Sequence, residues 1–168
     1  AWTGGFWEHP LQIWDDQVGI GLRAHYVASH SAVPLLIGRE NALIANITSP
    51  AGLTYLFNAA YSIGKAALDR MTHDLGFELI DHGVAVVGMR PGPTRTEFIE
   101  DQAAAGTQVA LEGAETPIYV GRVVAAVATD PELMSMTGRV QWTSRLGRKY
   151  EIIDENGETP MLAEKRFE

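Results

Sequence analysis

A-L-I-A-N-I-T-S-P-A-G, residues Ala42 to Gly52, decides how this chain folds: a short, mostly apolar run, Ala42 to Ile47, breaks into a turn built from Thr48, Ser49, Pro50, Ala51 and Gly52. A second apolar run follows at Val84 to Met89. Neither run alternates strictly between apolar and polar residues, so both read as strands buried on two faces, the signature of a parallel sheet. Between them, Tyr61 to Ile80 sets Ile63, Ala66, Met71, Leu75 and Leu79 on overlapping helical turns. Gly83 stands where a left-handed C-terminal cap is expected. Strand, crossover helix and strand make one β-α-β unit.

Outward from that unit the pattern repeats. Upstream, Pro10 to Ile37 reads as one long helix: Pro10 suits a first turn, and Leu11, Trp14, Val18, Leu22 and Tyr26 recur at three- and four-residue steps. Pro34 is expected to kink its last turns and Gly38 to end it. Downstream, Thr116-Pro117 reads as an N-cap followed by proline at the first helical position, with Ile118, Val120, Val123, Val124 and Val127 behind it and Asp130-Pro131 as the stop. A last short strand is expected around Arg139 to Trp142, and Asn156-Gly157 reads as a hairpin turn joining Ile152-Ile153 to the final residues. Pro91 to Glu115 is long for a connection in a compact domain. Its place past the C-terminal end of a strand is where open α/β sheets hold ligands, so it reads as a lid, with a flexible surface insertion as the alternative.

Composition narrows the classes of function. The 168 residues are 46% apolar and 20% charged, which fits a single globular domain over residues 1–168. Thirteen basic against 21 acidic side chains leave a formal charge of -8, which repels nucleic acid and anionic membrane surfaces. The absence of cysteine excludes disulfides, thiolate zinc sites and thiol catalysis. His9, His25, His30, His73 and His82 form no tight ligand motif, so no metal is expected. With no apolar run of membrane-spanning length and no leader pattern, a cytoplasmic location is the expectation.

The chemistry concentrates in the turn after the first strand and at the start of the crossover helix, Tyr61-Ser62-Ile63-Gly64-Lys65. Residues four apart share a helical face. An isolated phenol is a poor base at neutral pH, and a neighbouring ammonium favours the phenolate, so Tyr61 and Lys65 could form a proton-transfer pair. Ser49 could donate to a carbonyl oxygen as negative charge develops on it. Alone, Y-x-x-x-K is weak, since a half-packed ring beneath a lysine stem gives the same pattern.

Order and separation make it specific. Ser49, then Tyr61 to Lys65, then P-G-P-T-R-T at Pro91 to Thr96 after the next strand resemble the short-chain dehydrogenase/reductases. The resemblance implies an α/β Rossmann-like doubly wound parallel sheet, of which this chain would carry the catalytic second part. The family's glycine-rich phosphate loop, T-G-x-x-x-G-x-G, is not in this sequence, so truncation at the N-terminus is expected. It implies an oxidoreductase passing hydride between NAD or NADP and a carbonyl or secondary alcohol. Tyr61 would be the general acid/base, Lys65 would hold the nicotinamide ribose, and Ser49, or else its neighbour Thr48, would orient the substrate. Pro91, Gly92, Thr94 and Thr96 would receive the carboxamide. The two long helices would form a subunit interface, giving a homodimer or homotetramer. Gly21 stands where most members carry an asparagine. A non-catalytic binding or dimerisation module is the alternative class. Leu53, Tyr55, Leu56, Phe57 and Phe98 would suit the wall of an apolar substrate pocket, with core or interface packing as the equal alternative.

Overall fold

The computed structural model describes residues 4–106 and 111–167. Three strands, β1 (Ala42–Ile47), β2 (Val84–Arg90) and β3 (Val140–Trp142), form a parallel sheet in the order β1-β2-β3. Ala42 lies opposite Val84 and Ile47 opposite Met89, while Gly88 to Arg90 lie opposite Val140 to Trp142. Every residue of β2 is buried. Its alternate side chains enter two cores, as the period of a strand requires. Ala85, Val87 and Met89 join Tyr119, Val123 and Val127 of the helix Pro117–Ala128, whereas Val84 and Val86 join Ala42 and Leu79 with Val33, Leu36 and Leu75 packed against them. Helices therefore cover both faces, which is why neither strand shows polar alternation.

The long upstream helix is not continuous. It divides into α1 (Gln12–Val18), a π-helical turn at Gly19–Arg23, and α2 (Ala24–Leu36). Periodicity alone could not reveal this, because the apolar spacing survives a single wide turn. Gly19 and Gly21 both lie in that turn, and no atom would meet a Cβ at either. Such turns recur near functional sites. Gly38 ends α2 at φ +77°, as expected.

The crossover helix α3 runs Ala59–Leu79, and the Asn58 side chain caps it by accepting from the Tyr61 N–H at 2.9 Å. Gly64, Leu68, Thr72, Gly76 and Leu79 form its buried stripe. Thr72 ties the helix to the sheet, accepting from Asn46 Nδ2 at 3.0 Å while donating to the Leu68 carbonyl. Gly83 takes the left-handed cap at φ +70°. Within Pro91 to Glu115 lies a helix, α4 (Glu97–Ala104), capped by Thr96. Residues 107–110 of the expected lid fall outside the described residues.

Thr116 caps α5 (Pro117–Ala128), accepting from the Tyr119 N–H at 3.1 Å. After β3, a seven-residue helix, α6 (Thr143–Lys149), escapes the sequence reading, being too short to display a period. The tail differs from expectation. Asn156-Gly157 does sit in a turn, closed by the Asp154 N–H donating to the Glu158 carbonyl at 2.9 Å, but no strands flank it. Ile152 instead packs against the core around β2.

Candidate active site

Segments separated in the sequence come together at the carboxyl ends of β1 and β2. The turn after β1 carries Ser49, a buried residue whose Oγ accepts from the Ala51 N–H at 3.2 Å and so fixes the tight bend through Pro50. The start of α3 supplies Tyr61, and the segment after β2 supplies Pro91, Gly92, Thr94 and Thr96. All six line one cavity of roughly 600 Å³. Lys65 lies behind them, one turn along α3, with Nζ 5.9 Å from the centre of the Tyr61 ring. Its ammonium donates to the Ile47 carbonyl at the end of β1, 3.1 Å away. Burial lowers the pKa of this lysine, against an opposing pull from Asp69.

Much of the cavity wall is apolar. Leu56, Phe57, Ile99, Val120 and Phe167 supply it. Of the expected wall residues, Leu56 and Phe57 are in place. Leu53, Tyr55 and Phe98 are not on the wall and stand 63%, 67% and 59% exposed. For Phe98 the reason is helical phase: α4 begins at Glu97, which turns Phe98 outward and brings Ile99 in. Phe57 adopts φ +61°, rare for a large side chain, and presents its ring edge-to-face on Tyr61 with centroids 5.2 Å apart.

Beneath the site lies a partly buried pair of charges absent from the sequence reading. Asp69, one turn beyond Lys65, pairs with the Arg90 guanidinium at the end of β2. Burial raises the Asp69 carboxyl's pKa, while Arg90 opposes that rise. The buried Thr48 hydroxyl also pulls it down, and Thr48 lines the same cavity as Ser49. Both residues thus open on the cavity, and the Ser49 hydroxyl meets the local Ala51 N–H. A Cβ on Gly52 would collide with the Asp69 carboxylate, so the turn needs glycine there. Arg90 also lies 5.3 Å from the Trp142 ring centre, whose other neighbour is Phe167, stacked at 5.9 Å and 15°. The four-residue step from Lys65 to Asp69 was a usable signal for this pair; Arg90, on a strand, had none.

The Pro91 to Thr96 segment is held from the far side by Glu115. The Glu115 N–H donates to the Pro93 carbonyl and the Arg95 N–H donates to the Glu115 carbonyl, making a one-residue parallel bridge. Thr94 and Thr96 line the same cavity, and the polar groups of such a pair suit an amide-bearing ligand such as a nicotinamide. No group of three histidine or acidic side chains among the described residues is arranged to hold a metal ion. No described helix is long and apolar enough to cross a membrane.

A parallel sheet covered on both faces, with its cleft at the carboxyl ends of the strands, defines an α/β protein of the doubly wound class. The particular family follows from comparison with known proteins. The family model described as short chain dehydrogenase matches residues 1–106, and the chain belongs to the short-chain dehydrogenase/reductase family. It is 37% identical over 162 residues to the mouse and human proteins called dehydrogenase/reductase SDR family member 1, covering 90% of this chain and 52% of theirs. The chain thus spans about half the length of those relatives. Among solved structures, a putative dehydrogenase from Xanthomonas campestris superposes with a TM-score of 0.75 at 20% identity, over 96% of this chain and 62% of that one. A 3-oxoacyl-[acyl-carrier protein] reductase with bound NAD from Brucella melitensis superposes with a TM-score of 0.67 at 23% identity, over 83% of this chain and 53% of that one. The fold expected from the sequence is the fold observed.

Proposed function

We propose that this chain carries the proton-transfer and substrate-binding half of an NAD(P)-dependent oxidoreductase acting on an apolar carbonyl or secondary alcohol. The observation that carries the reading is the single cavity onto which Ser49, Tyr61, Gly92, Thr94 and Thr96 all open, with Lys65 behind Tyr61. The bound NAD found in the Brucella reductase of the same fold supports a nicotinamide here.

A nicotinamide, when bound, supplies or accepts the hydride. In the direction of reduction, the Tyr61 phenol donates its proton to the substrate oxygen, and Ser49 Oγ donates a hydrogen bond to that same oxygen as charge builds on it. Lys65 holds a positive charge beside the phenol ring and steadies the negative charge left on the Tyr61 oxygen. Its bond to the Ile47 carbonyl keeps the ammonium at that station rather than in solvent. The Thr94 N–H and the Thr96 hydroxyl are the groups that would hold a carboxamide. Leu56, Phe57, Ile99, Val120 and Phe167 strip water from an apolar substrate and leave few polar groups to bind a charged one.

The test is cofactor binding and turnover on the whole protein, with a panel of apolar ketones and aldehydes. Tyr61→Phe should bind NAD(P)H as the wild type does and lose about 10²- to 10⁴-fold in turnover, the usual share of a positioned acid. Failure of the wild type to bind either cofactor would replace this reading with that of a non-catalytic binding module.

A further inference from the structure

Glu115 is 1% exposed and Thr143 is fully buried, and neither lines the cavity. Yet both touch the backbone that forms one of its walls. Glu115 Oε1 accepts from the Gly92 N–H at 3.4 Å, and Glu115 Oε2 accepts from the Thr143 hydroxyl at 2.6 Å. The same Thr143 Oγ lies 3.2 Å from the Arg90 carbonyl. A hydroxyl has one proton, so it cannot donate to the carboxylate and to the carbonyl together.

We propose that Glu115 is a positioning residue for the Pro91 to Thr96 wall, its protonation deciding whether the Thr143 hydroxyl bonds to Glu115 or to the Arg90 carbonyl, and how tightly the Gly92 N–H is held. The proposal rests on the functional reading above only for what that wall binds. With Glu115 ionised, Thr143 donates to the carboxylate, the Arg90 carbonyl loses that donor, and the Gly92 N–H meets a full negative charge. With Glu115 protonated on Oε2, the acid donates to Thr143 Oγ, Thr143 turns its own proton to the Arg90 carbonyl, and the bond to Gly92 becomes a weaker neutral one. Each state satisfies the interior differently, so the wall has two hydrogen-bonding registers. Gly92 packs closely on the tail at this point, since a Cβ there would lie 2.6 Å from the Ala163 Cβ.

The surroundings keep the two states close in energy. Burial pushes the Glu115 carboxyl up to about 7, with Thr143 and the Gly92 N–H pulling it down and the carboxylates of Asp154 and Glu164 pushing it further up. Asp154 is itself held by the Thr116 N–H and hydroxyl, and Glu164 pairs with Arg145. From α5, the Tyr119 hydroxyl is buried and without a hydrogen bond, its phenol raised to about 12 chiefly by burial and next by Glu115, with Arg148 opposing.

The deciding experiment is a pH titration of the Gly92 amide by ¹⁵N–¹H correlation spectroscopy on the whole protein without cofactor, from about pH 5.5 to about pH 8.5, with NAD(P)H dissociation constants measured over the same range. In the wild type the Gly92 amide should move with a midpoint near neutrality, and the affinity should change by about three- to tenfold, the equivalent of half to one pKa unit. Glu115→Gln should flatten both curves. Thr143→Val removes a donor to the carboxylate and should move the midpoint upward, which a merely structural role would not do; Thr143→Ser should restore it. Should the Gln variant fail to fold, the Val and Ser variants decide alone. A Gly92 amide insensitive to pH, or a midpoint unmoved in Thr143→Val, overturns the proposal. A titrating amide in a protein that binds no cofactor instead upholds the Glu115 link and overturns the functional reading.

Discussion

Glu115 has a second consequence, on stability. Its carboxyl titrates at about 7 in the folded chain against 4.5 when unhindered. Between those values the unfolded chain has already released a proton that the folded chain still holds, so stability falls as pH rises through this window. The size is on the order of 3 kcal/mol. Urea unfolding of the wild type and Glu115→Gln from about pH 4.5 to about pH 7.5 tests it, with a steeper decline expected in the wild type; parallel curves would show that the carboxyl is not raised. Asp130 acts in the opposite sense. Lys149 and Tyr150 hold its carboxyl down to about 2 through hydrogen bonds, so the stability it contributes is present above the ordinary aspartate value and lost as pH falls toward 2. Asp130→Asn should therefore lower stability at neutral pH and bring it close to the wild type at the acid end.

Among the elements, the caps carry the sharpest expectations. Thr116 accepts from the Tyr119 N–H at the first turn of α5 and donates to Asp154 Oδ1 at 2.6 Å, so one hydroxyl both starts a helix and anchors the tail. Thr116→Ala should cost about 1–2 kcal/mol in urea unfolding, the usual value of a cap, and Thr116→Ser should recover most of it. Gly76 on α3 meets the Gly138 turn so closely that a Cβ would stand 2.5 Å from backbone atoms. Gly76→Ala should move α3 off the sheet and destabilise by more than the cap does, measured in the same way; an unchanged midpoint would mean that the helix slides freely. These elements also show how far a sequence can be read. Thr116-Pro117, Gly83 and the two buried strands were legible because caps and apolar runs are local signals. The π-helical turn, α6 and the exposed station of Phe98 were not, since they depend on phase and on partners far along the chain. Of the site, Ser49, Tyr61, Lys65 and the Pro91 to Thr96 segment could be named from order and spacing, whereas Arg90, Glu115 and Thr143 meet only in three dimensions.

At the scale of the molecule, the helical layer over β1 leaves Trp14, Ile20, Tyr26, Ile63 and Phe77 between 45% and 79% exposed. Water is a poor partner for that much apolar surface, and the expected subunit contact of the two long helices would cover part of it. Light scattering on the whole protein should report a dimer or larger, and Phe77→Lys with Ile63→Lys should shift it toward the monomer while leaving its circular dichroism unchanged. A monomeric wild type would remove the interface expectation. The cavity itself lies at the carboxyl ends of the strands.

Trp142, stacked on Phe167 and beside Arg90, stands next to the cavity as a natural fluorophore. Of the described tryptophans, Trp7 and Trp14 are 76% and 45% exposed, while Trp142 touches a residue of the cavity wall. Its ultraviolet emission overlaps the absorption of a reduced nicotinamide, so excitation of the indole should light a bound NAD(P)H by energy transfer. Trp142→Phe would keep the stack and weaken that signal, and the size of the drop would give the share of the light that reaches the ligand from this one indole rather than from Trp7 and Trp14.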